Sequence, residues 1–283
     1  PNRIYSLGFE TLWRPIFTSY GWRDINRYKY AINMLNPNIN MVYNVPNTDV
    51  YAGFFLQKQI FVNSLIRSDF DIDSQSSSAS LSATGINMLR LTGTNYVITP
   101  YLLSNPELHR VFDVKSPYHD LGDIHIYNLP TTMHQYYIAY KIASVSGIRE
   151  AVLNLNDTAW SQKYDAIIND VDRHLITNTY PTTNIEVKAY TDTNKIFYYN
   201  TENDGYFLLL TYFYPGWEAK VDGIKTPIVN GNISSMAVFA PKGSHRIEFT
   251  FIPKSLYLGA VVSGMSAVLY SAFIISEVRR KHS

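Results

Sequence analysis

The longest apolar stretch of the chain lies close to its C-terminus. Residues 255–276, SLYLGAVVSGMSAVLYSAFIIS, carry no charged side chain. As a helix this stretch is about 33 Å long, which is enough to cross the roughly 30 Å hydrocarbon core of a bilayer. A buried helix of a soluble protein is rarely apolar on all sides over such a length. The pattern therefore predicts a transmembrane helix over 255–276 and the lipid bilayer as a partner.

The residues on and after this helix predict its neighbours and its orientation. Small side chains at Gly259, Ser263, Gly264 and Ser266 favour close contact with other membrane helices or subunits. Residues 277–283, EVRRKHS, form a basic tail, which the positive-inside rule places in the cytoplasm. We therefore expect one C-terminal span in the cell membrane, with the bulk of the chain extracytoplasmic.

Alternating apolar and polar positions dominate the region before the helix. In SHRIEFTFI, the side chains of Ile247, Phe249 and Phe251 face one way and the intervening residues the other. Turn signals at Asp222-Gly223 and Asn230-Gly231 separate such segments. The nearly continuous apolar run 206–214, YFLLLTYFY, is typical of a strand buried on both faces. Six short strands within about 70 residues predict an antiparallel β-sandwich.

Upstream of the sandwich the pattern changes. In residues 148–176, Trp160, Ile167 and Leu175 lie on one apolar stripe, which predicts a helix with Asp157 as its N-cap. In 41–147, helical segments alternate with short apolar strands, which indicates a small α/β module. Residues 1–40 form a lead-in, either the interfacial end of an earlier membrane helix or an ordered connector.

The predicted fold class is α+β. It comprises the lead-in 1–40, an extracytoplasmic α/β module over 41–147, a helix plus antiparallel β-sandwich over 148–253, a transmembrane helix over 255–276 and a cytoplasmic tail over 277–283.

Composition narrows the possible functions. The chain has 283 residues, a net charge of +1 and no cysteine. This charge gives no electrostatic footprint for nucleic acid, which we exclude as a partner. The lack of cysteine excludes disulfides and thiol catalysis. No initiator methionine or signal peptide precedes Pro1, so we expect the sequence to be part of a longer chain.

Several motifs resemble those of the YfhO-like membrane protein family. They are Tyr214-Pro215-Gly216-Trp217, Val221-Asp222-Gly223, and Pro241 to Gly243 followed by His245 and Pro253, all before a closing membrane helix. Two upstream segments, INMLRLTGTNYVIT and IYNLPTTMHQYYIAYKI, are also similar, although Met133-His134 stands where that family usually has Pro-Arg. The resemblance runs from about residue 41 to the end.

This resemblance implies a large polytopic membrane protein related to the GT-C glycosyltransferases, which use lipid-phosphate-linked sugars. In those enzymes the catalytic acidic residue lies among N-terminal membrane helices that this sequence does not include. We therefore expect no catalytic residue and no cofactor in this chain. A lipid-phosphate-linked sugar would be the donor of the full-length enzyme.

Two functions remain open. The chain is either the extracytoplasmic C-terminal part of a GT-C-like glycosyltransferase, serving as scaffold or in recognition of an acceptor or partner, or a non-catalytic, membrane-anchored accessory subunit of a membrane or cell-envelope complex. Trp217 and Tyr214 are the candidate ligand-binding residues, because aromatic rings stack on sugar faces. Their alternative role is to pack in the core.

Other candidate sites are weaker. Asn156 and Asn232 lie in Asn-X-Ser/Thr triplets and are candidate glycosylation sites. We expect no metal site, since three sets of possible ligands are better explained as loops or polar surfaces. These sets are Asp69, Asp71 and Asp73; Asp165, Asn169 and Asp172; and His119, Asp120, Asp123 and His125.

Overall fold

The computed structural model describes residues 2–49, 57–67, 70–73, 77–130, 132–169 and 180–282. Within these residues the β-strands form four sheets, of four, six, five and three strands. The helices are α1 Phe9–Tyr20, α2 Ile25–Ala31, α3 Ile39–Val42, α4 Gln57–Arg67, α5 Ala83–Leu91, α6 Ile148–Leu155, α7 Trp160–Lys163 and α8 Lys254–His282, with a 3₁₀ turn at Ile32–Met34. The predicted α+β fold class is confirmed.

A four-stranded sheet organises the N-terminal half. Its order is β1-β4-β7-β6, with β1 parallel to β4 and the other pairs antiparallel. The predicted lead-in is therefore part of this half, since it supplies the edge strand β1. Helices α1 and α2 cover one face, and α4 and α5 lie against the other. The strands are β1 Arg3–Ser6, β4 Thr94–Thr99, β6 His109–Val114 and β7 Ile124–Asn128, beside a small sheet of β2 Asp71–Asp73, β3 Ser78–Ser80 and β5 Leu102–Leu103.

The six-stranded sheet collects strands that are far apart in sequence. Its order is β8-β13-β17-β16-β10-β9, so the predicted boundary at residue 147 falls within one sheet. Strands β9 and β10 are parallel, and the other pairs in the sheet are antiparallel. The strands are β8 Tyr136–Ala139, β9 Ile142–Val145, β10 Ala166–Asn169, β13 Gly205–Tyr212, β16 Val229–Gly231 and β17 Ser235–Ala240.

The single helix predicted over 148–176 is wrong. Helix α6 ends at Leu155, α7 is one turn, and β10 follows after Tyr164, whose φ of −134° and ψ of 151° are extended. Asp157 is not the helix cap, because Ala159 takes that position, although Asp157 Oδ1 accepts the Ala159 N–H at 2.8 Å. Ile167 and Ile168 lie in β10, which pairs with β9 on one side and β16 on the other. Their β-branched side chains pack well in such a strand and are less favourable in a helix. The part of the prediction over 170–179 lies outside the described residues.

The five-stranded sheet completes the predicted sandwich. Its order is β11-β12-β18-β14-β15 and every pair is antiparallel. Phe197, Ile247 and Phe249 project from it against Phe207 and Val238 of the six-stranded sheet, and all five are fully buried. The strands are β11 Thr183–Tyr190, β12 Asn194–Thr201, β14 Trp217–Val221, β15 Ile224–Thr226 and β18 Gly243–Phe251.

The predicted two-faced strand is confirmed as β13. Phe207 and Leu209 pack in the sandwich core, whereas Tyr206 and Leu208 belong to a second cluster on the opposite face. The Pro215-Gly216 break then carries the chain into the other sheet, because β13 pairs with β8 and β17 while β14 pairs with β15 and β18.

The last element is a single apolar helix. Helix α8 extends beyond the predicted 255–276 at both ends and is long and apolar enough to cross a membrane, with none of its apolar window buried against the protein. The predicted tail continues the helix to His282 instead of forming a separate segment.

Candidate functional site

A cavity of about 630 Å³ opens where the two sheets of the sandwich part. Strand β8 is at the edge of the six-stranded sheet and β11 is at the edge of the five-stranded sheet. Residues of both strands line the cavity, together with residues of the segment that precedes each strand. Its wall comprises Asn2, Gly93, Asn95, Met133, His134, Gln135, Tyr136, Tyr137, Ile138, Tyr140, Tyr180, Pro181, Thr183 and Ile185.

A buried carboxylate fixes one side of the cavity. Asp165 Oδ2 accepts the N–H groups of Tyr140 at 3.2 Å and Lys141 at 3.0 Å. Its Oδ1 accepts the hydroxyl of Tyr180 at 2.5 Å. The Lys141 ammonium lies 4.5 Å from the centre of the Tyr180 ring. Asp165 thus joins the end of β8 to the residues that lead into β11.

Two further tyrosines hold the sheet edges in place. The Tyr140 hydroxyl lies 2.5 Å from the hydroxyls of Thr183 and Thr201, which links the two sheets. The Tyr137 hydroxyl donates to the Asp165 carbonyl at 3.1 Å and accepts from Asn232 Nδ2 at 3.0 Å. Burial raises the pKa of the Tyr137 and Tyr180 hydroxyls, and the bond to Asp165 raises that of Tyr180 further. A tyrosine hydroxyl is protonated at neutral pH even without such a shift, so both can donate hydrogen bonds there.

The described wall is polar and aromatic. Among the described residues that form it, none is a carboxylate, a lysine or an arginine. Amides, hydroxyls and an imidazole are interspersed with tyrosine rings, and Tyr180 is 59% exposed. The size lies within the range of small-molecule sites. The wall suits an uncharged ligand that has both hydrogen-bonding groups and apolar faces.

Comparison with known proteins assigns part of the chain. Residues 168–263 match the family model described as bacterial membrane protein YfhO. This segment is YfhO-like. The match covers about a third of the 283 residues, and the predicted resemblance is confirmed there. Neither the curated proteins nor the solved structures contain a significant match to the chain.

The YfhO-like segment supplies only one side of the cavity. Tyr180, Thr183 and Ile185 lie within it, whereas Met133 to Tyr140 precede it. The sequence analysis missed these cavity residues. The tyrosine-rich run YYIAY at 136–140 was the available signal, but its pattern indicates only a strand.

The predicted ligand-binding residues lie apart from this cavity. Trp217 and Tyr214 flank Phe251, with ring centroids 5.4 Å and 6.1 Å away. Trp217 is partly buried against the sandwich core, and the Lys195 ammonium lies 4.8 Å from its ring. Neither residue belongs to the cavity wall. Their role in ligand binding stays a prediction.

The two candidate glycosylation sites, Asn156 and Asn232, differ in their exposure to solvent. Asn232 is 1% exposed, its Oδ1 accepts the Ile167 N–H at 3.2 Å, and its Nδ2 donates to Leu91 O at 3.2 Å. A glycan on Nδ2 is incompatible with this packing, so we reject Asn232 as a glycosylation site of the folded chain. Asn156 is exposed at the end of α6 and remains a candidate.

The YfhO-like motifs Val221-Asp222-Gly223 and Gly243 to His245 meet in space. His245 Nδ1 lies 2.6 Å from Asp222 Oδ2, and its Nε2 donates to the Lys242 carbonyl at 3.0 Å. Asp222 Oδ1 accepts the Arg246 N–H at 2.8 Å. His245 thus links the Asp222-Gly223 turn to the segment that leads from β17 into β18.

The structure gives the possible metal ligands other partners. Asp120 binds Arg27, Asp123 binds Lys115 and His125 lies 2.6 Å from Asp113. Asp165 is occupied by tyrosine and backbone donors. Asp69 and Asp172 lie outside the described residues, as do the side chains of Asp71 and Asp73. In the part of the chain that the structure describes, no three histidine or acidic side chains are grouped to hold a metal.

Proposed function

We propose that this chain is the extracytoplasmic C-terminal part of a polytopic membrane protein that resembles the GT-C glycosyltransferases. In this proposal it recognises the acceptor or the sugar part of the lipid-phosphate-linked donor, and the transfer reaction takes place elsewhere in the full-length protein. The observation that carries the proposal is the tyrosine-lined cavity between β8 and β11, whose described wall contains no carboxylate, lysine or arginine.

The wall chemistry supports a sugar as the ligand. A pyranose ring presents hydroxyls around its rim and C–H groups on its faces. Asn95, His134 and Thr183 offer hydrogen-bonding groups, and Tyr136 and Tyr180 offer rings. Glycoside hydrolysis characteristically uses a pair of carboxylates, and no carboxylate lies in the described wall. This supports a recognition role.

Two features support the membrane setting. Helix α8 joins the sandwich to a bilayer, and the residues at its far end include Arg279, Arg280 and Lys281. The positive-inside rule then favours the sandwich on the outer side.

The accessory-subunit function remains the second candidate. His134 is exposed at the cavity wall, and Met133-His134 replaces the Pro-Arg pair that the resemblance leads one to expect. A changed wall fits a protein that binds a different partner and catalyses nothing.

Saturation-transfer NMR tests the recognition role. The detergent-solubilised chain is mixed with the methyl glycosides of glucose, galactose and N-acetylglucosamine, each at millimolar concentration. We expect saturation transfer to at least one glycoside, reduced about fivefold or more by Tyr180→Ala, which removes an exposed ring from the wall.

Tyr198→Ala is the matched control. Tyr198 is 43% exposed on β12 and does not line the cavity. Its replacement should leave the signal unchanged. Absence of transfer to all three glycosides, or equal losses in the two variants, would contradict sugar recognition at this cavity and favour the accessory function.

A further inference from the structure

The end of the five-stranded sheet that carries Phe251 lies next to the membrane helix. Strand β18 ends at Phe251, and α8 begins at Lys254. The short link holds these two residues within about 11 Å of each other. Helix α8 has 29 residues, or about 43 Å, which matches a bilayer of roughly 40–45 Å with its headgroups included. Lys254 and the adjoining end of the sheet therefore lie at headgroup level.

This end of the sheet carries a cluster of aromatic rings. We call Tyr214, Trp217 and Phe251 the interfacial ring cluster. Trp217 and Phe251 are directly paired across β14 and β18, and Tyr214 is 46% exposed. Tyrosine and tryptophan are enriched where membranes meet water, because each combines an apolar ring with a polar group.

The backbone ties this cluster to the helix. Ile252 N–H donates to the carbonyl of Gly216 at 2.8 Å. Gly216 has a φ of +118°, and a Cβ there would lie 2.8 Å from Ile252 O. The turn before Trp217 therefore packs directly against the link to α8, and the rings keep a fixed position relative to the helix.

Two exposed lysines lie beside the cluster. Glu218 Oε1 is shared by the ammonium groups of Lys254 at 3.1 Å and Lys225 at 3.2 Å. These lysine side chains are 73% and 69% exposed. Lys195 lies over Trp217, and the neighbouring acid is Asp192, whose carbonyl Lys195 contacts at 3.4 Å. Lys195 is only 5% exposed, whereas Lys225 and Lys254 are exposed and can meet anionic phospholipid headgroups.

The opposite end of β14 provides the contrast. Strand β14 runs from Trp217 to Val221 and turns at Asp222-Gly223, about 16 Å further from the helix. Ile224, just after this turn, is 73% exposed.

We propose that the interfacial ring cluster, with Lys225 and Lys254, rests in the headgroup layer of an anionic bilayer and sets the orientation of the sandwich on the membrane. The occupant of this surface is lipid, because the surface is continuous with the membrane-spanning helix. The proposal is independent of what the cavity binds.

Site-directed spin labelling tests it, since the chain has no cysteine and one introduced cysteine takes the label alone. The full chain carrying Tyr214→Cys or Ile224→Cys is labelled and reconstituted into vesicles of phosphatidylcholine with phosphatidylglycerol. Accessibility of each label to oxygen and to a water-soluble nickel chelate is measured by power saturation. Leu258→Cys on α8 serves as the reference within the membrane.

We expect the oxygen-to-nickel accessibility ratio at residue 214 to exceed that at residue 224 by about threefold or more, because interfacial sites exclude the aqueous reagent. Removing phosphatidylglycerol should lower the ratio at 214 only. Equal ratios at 214 and 224 would overturn the proposal. If Tyr214→Cys does not fold, Thr193→Cys replaces it, since the Thr193 carbonyl accepts the Phe251 N–H at 2.8 Å and marks the same end.

Discussion

Two tight turns in the sandwich reach similar backbone shapes by different means. In the five-stranded sheet, Asp222 and Gly223 connect β14 to β15 with φ values of +51° and +81°. In the six-stranded sheet, Asn232 and Ile233 follow β16 with φ values of +48° and +70°. The first pair has the residues that a left-handed turn favours. The second contains a β-branched isoleucine, for which this conformation is unfavourable.

Tertiary contacts explain the second turn. Ile233 is 4% exposed in the core that includes Leu91 and Ile167. The Asn232 amide bridges β10, the end of α5 and the Tyr137 hydroxyl. The predicted turn at Asn230-Gly231 is consequently wrong, because these residues pair with Met236 and Ser235 as part of β16. The Asp222-Gly223 turn is confirmed, since both residues have a positive φ and connect β14 to β15. Aspartate followed by glycine already favours such a turn by local backbone preference.

The comparison of the two turns predicts that, among the substitutions described below, Asn232→Leu lowers the free energy of unfolding most. It removes the side-chain partner of the Ile167 N–H and of the Leu91 carbonyl, and one of the two partners of the Tyr137 hydroxyl, all within a buried region. We expect a loss of about 3 kcal/mol in the free energy of unfolding, measured by denaturation in detergent with tryptophan fluorescence.

Asn156→Leu is the control for this loss. Asn156 occupies the other glycosylation triplet and is exposed, so its replacement should change stability by less than about 0.5 kcal/mol. Similar values for the two variants would show that the Asn232 amide does not hold the second turn.

Gly223→Val should lower the free energy of unfolding by an intermediate amount. A Cβ at Gly223 meets no atom within 4 Å, so the cost comes from the positive φ alone. We expect a loss of about 2 kcal/mol, because valine resists the left-handed region. Gly223→Asn, which tolerates this region, should be nearly neutral in the same unfolding experiment. If the valine variant were as stable as the parent, tertiary contacts and not the backbone preference of Gly223 would hold the first turn, as they do the second.

The smallest expected change in stability comes from the His245–Asp222 pair at the first turn, and it depends on pH. The bond to Asp222 raises the pKa of His245 above its ordinary value of 6.5. The pair therefore stabilises the fold fully below about pH 6.5 and loses this contribution as pH rises through the raised pKa. The hydrogen bond from the Arg246 N–H, and next the bond to His245, lower the pKa of Asp222 below its ordinary value of 3.8. The stabilisation from the Asp222 carboxylate is therefore fully present above about pH 3.8 and is lost as pH falls through the lowered pKa.

Comparison of the parent with His245→Gln measures this contribution. We expect the parent to be the more stable at about pH 5.5, by less than about 1 kcal/mol because both side chains are partly exposed. The difference should shrink towards about pH 8.5. A difference that grows with pH would mean that His245 acts in its neutral form.

Local pattern predicted elements whose environment is simple. The alternation of β18 and the two-sided apolar run of β13 follow directly from which faces are buried. The same reasoning failed at Ile167 and Ile168, where helical spacing and a buried strand look alike over a few residues. Strand β10 exists because β9 and β16 lie on either side of it, which no local pattern records.

The candidate site depended still more on distant contacts. Trp217 and Tyr214 are conspicuous as rings beside a turn, yet the tyrosines of the cavity wall lie on or just after β8 and just before β11. Tyr140 and Thr183 are separated by 43 residues and meet through a 2.5 Å hydrogen bond. The composition shows that tyrosine is abundant, but it does not show which tyrosine hydroxyls lie together at the cavity.

By itself, the sequence determined the membrane helix, the antiparallel sandwich, the Asp222-Gly223 turn and the YfhO-like motifs, because each depends on neighbouring residues and on the contrast between apolar and polar positions. Only the tertiary structure decided which strands share a sheet, that Asn232 is a buried bridge, and that Asp222 binds His245. Those outcomes depend on hydrogen bonds and packing between residues far apart in the chain, and such contacts exist only once the sheets have formed.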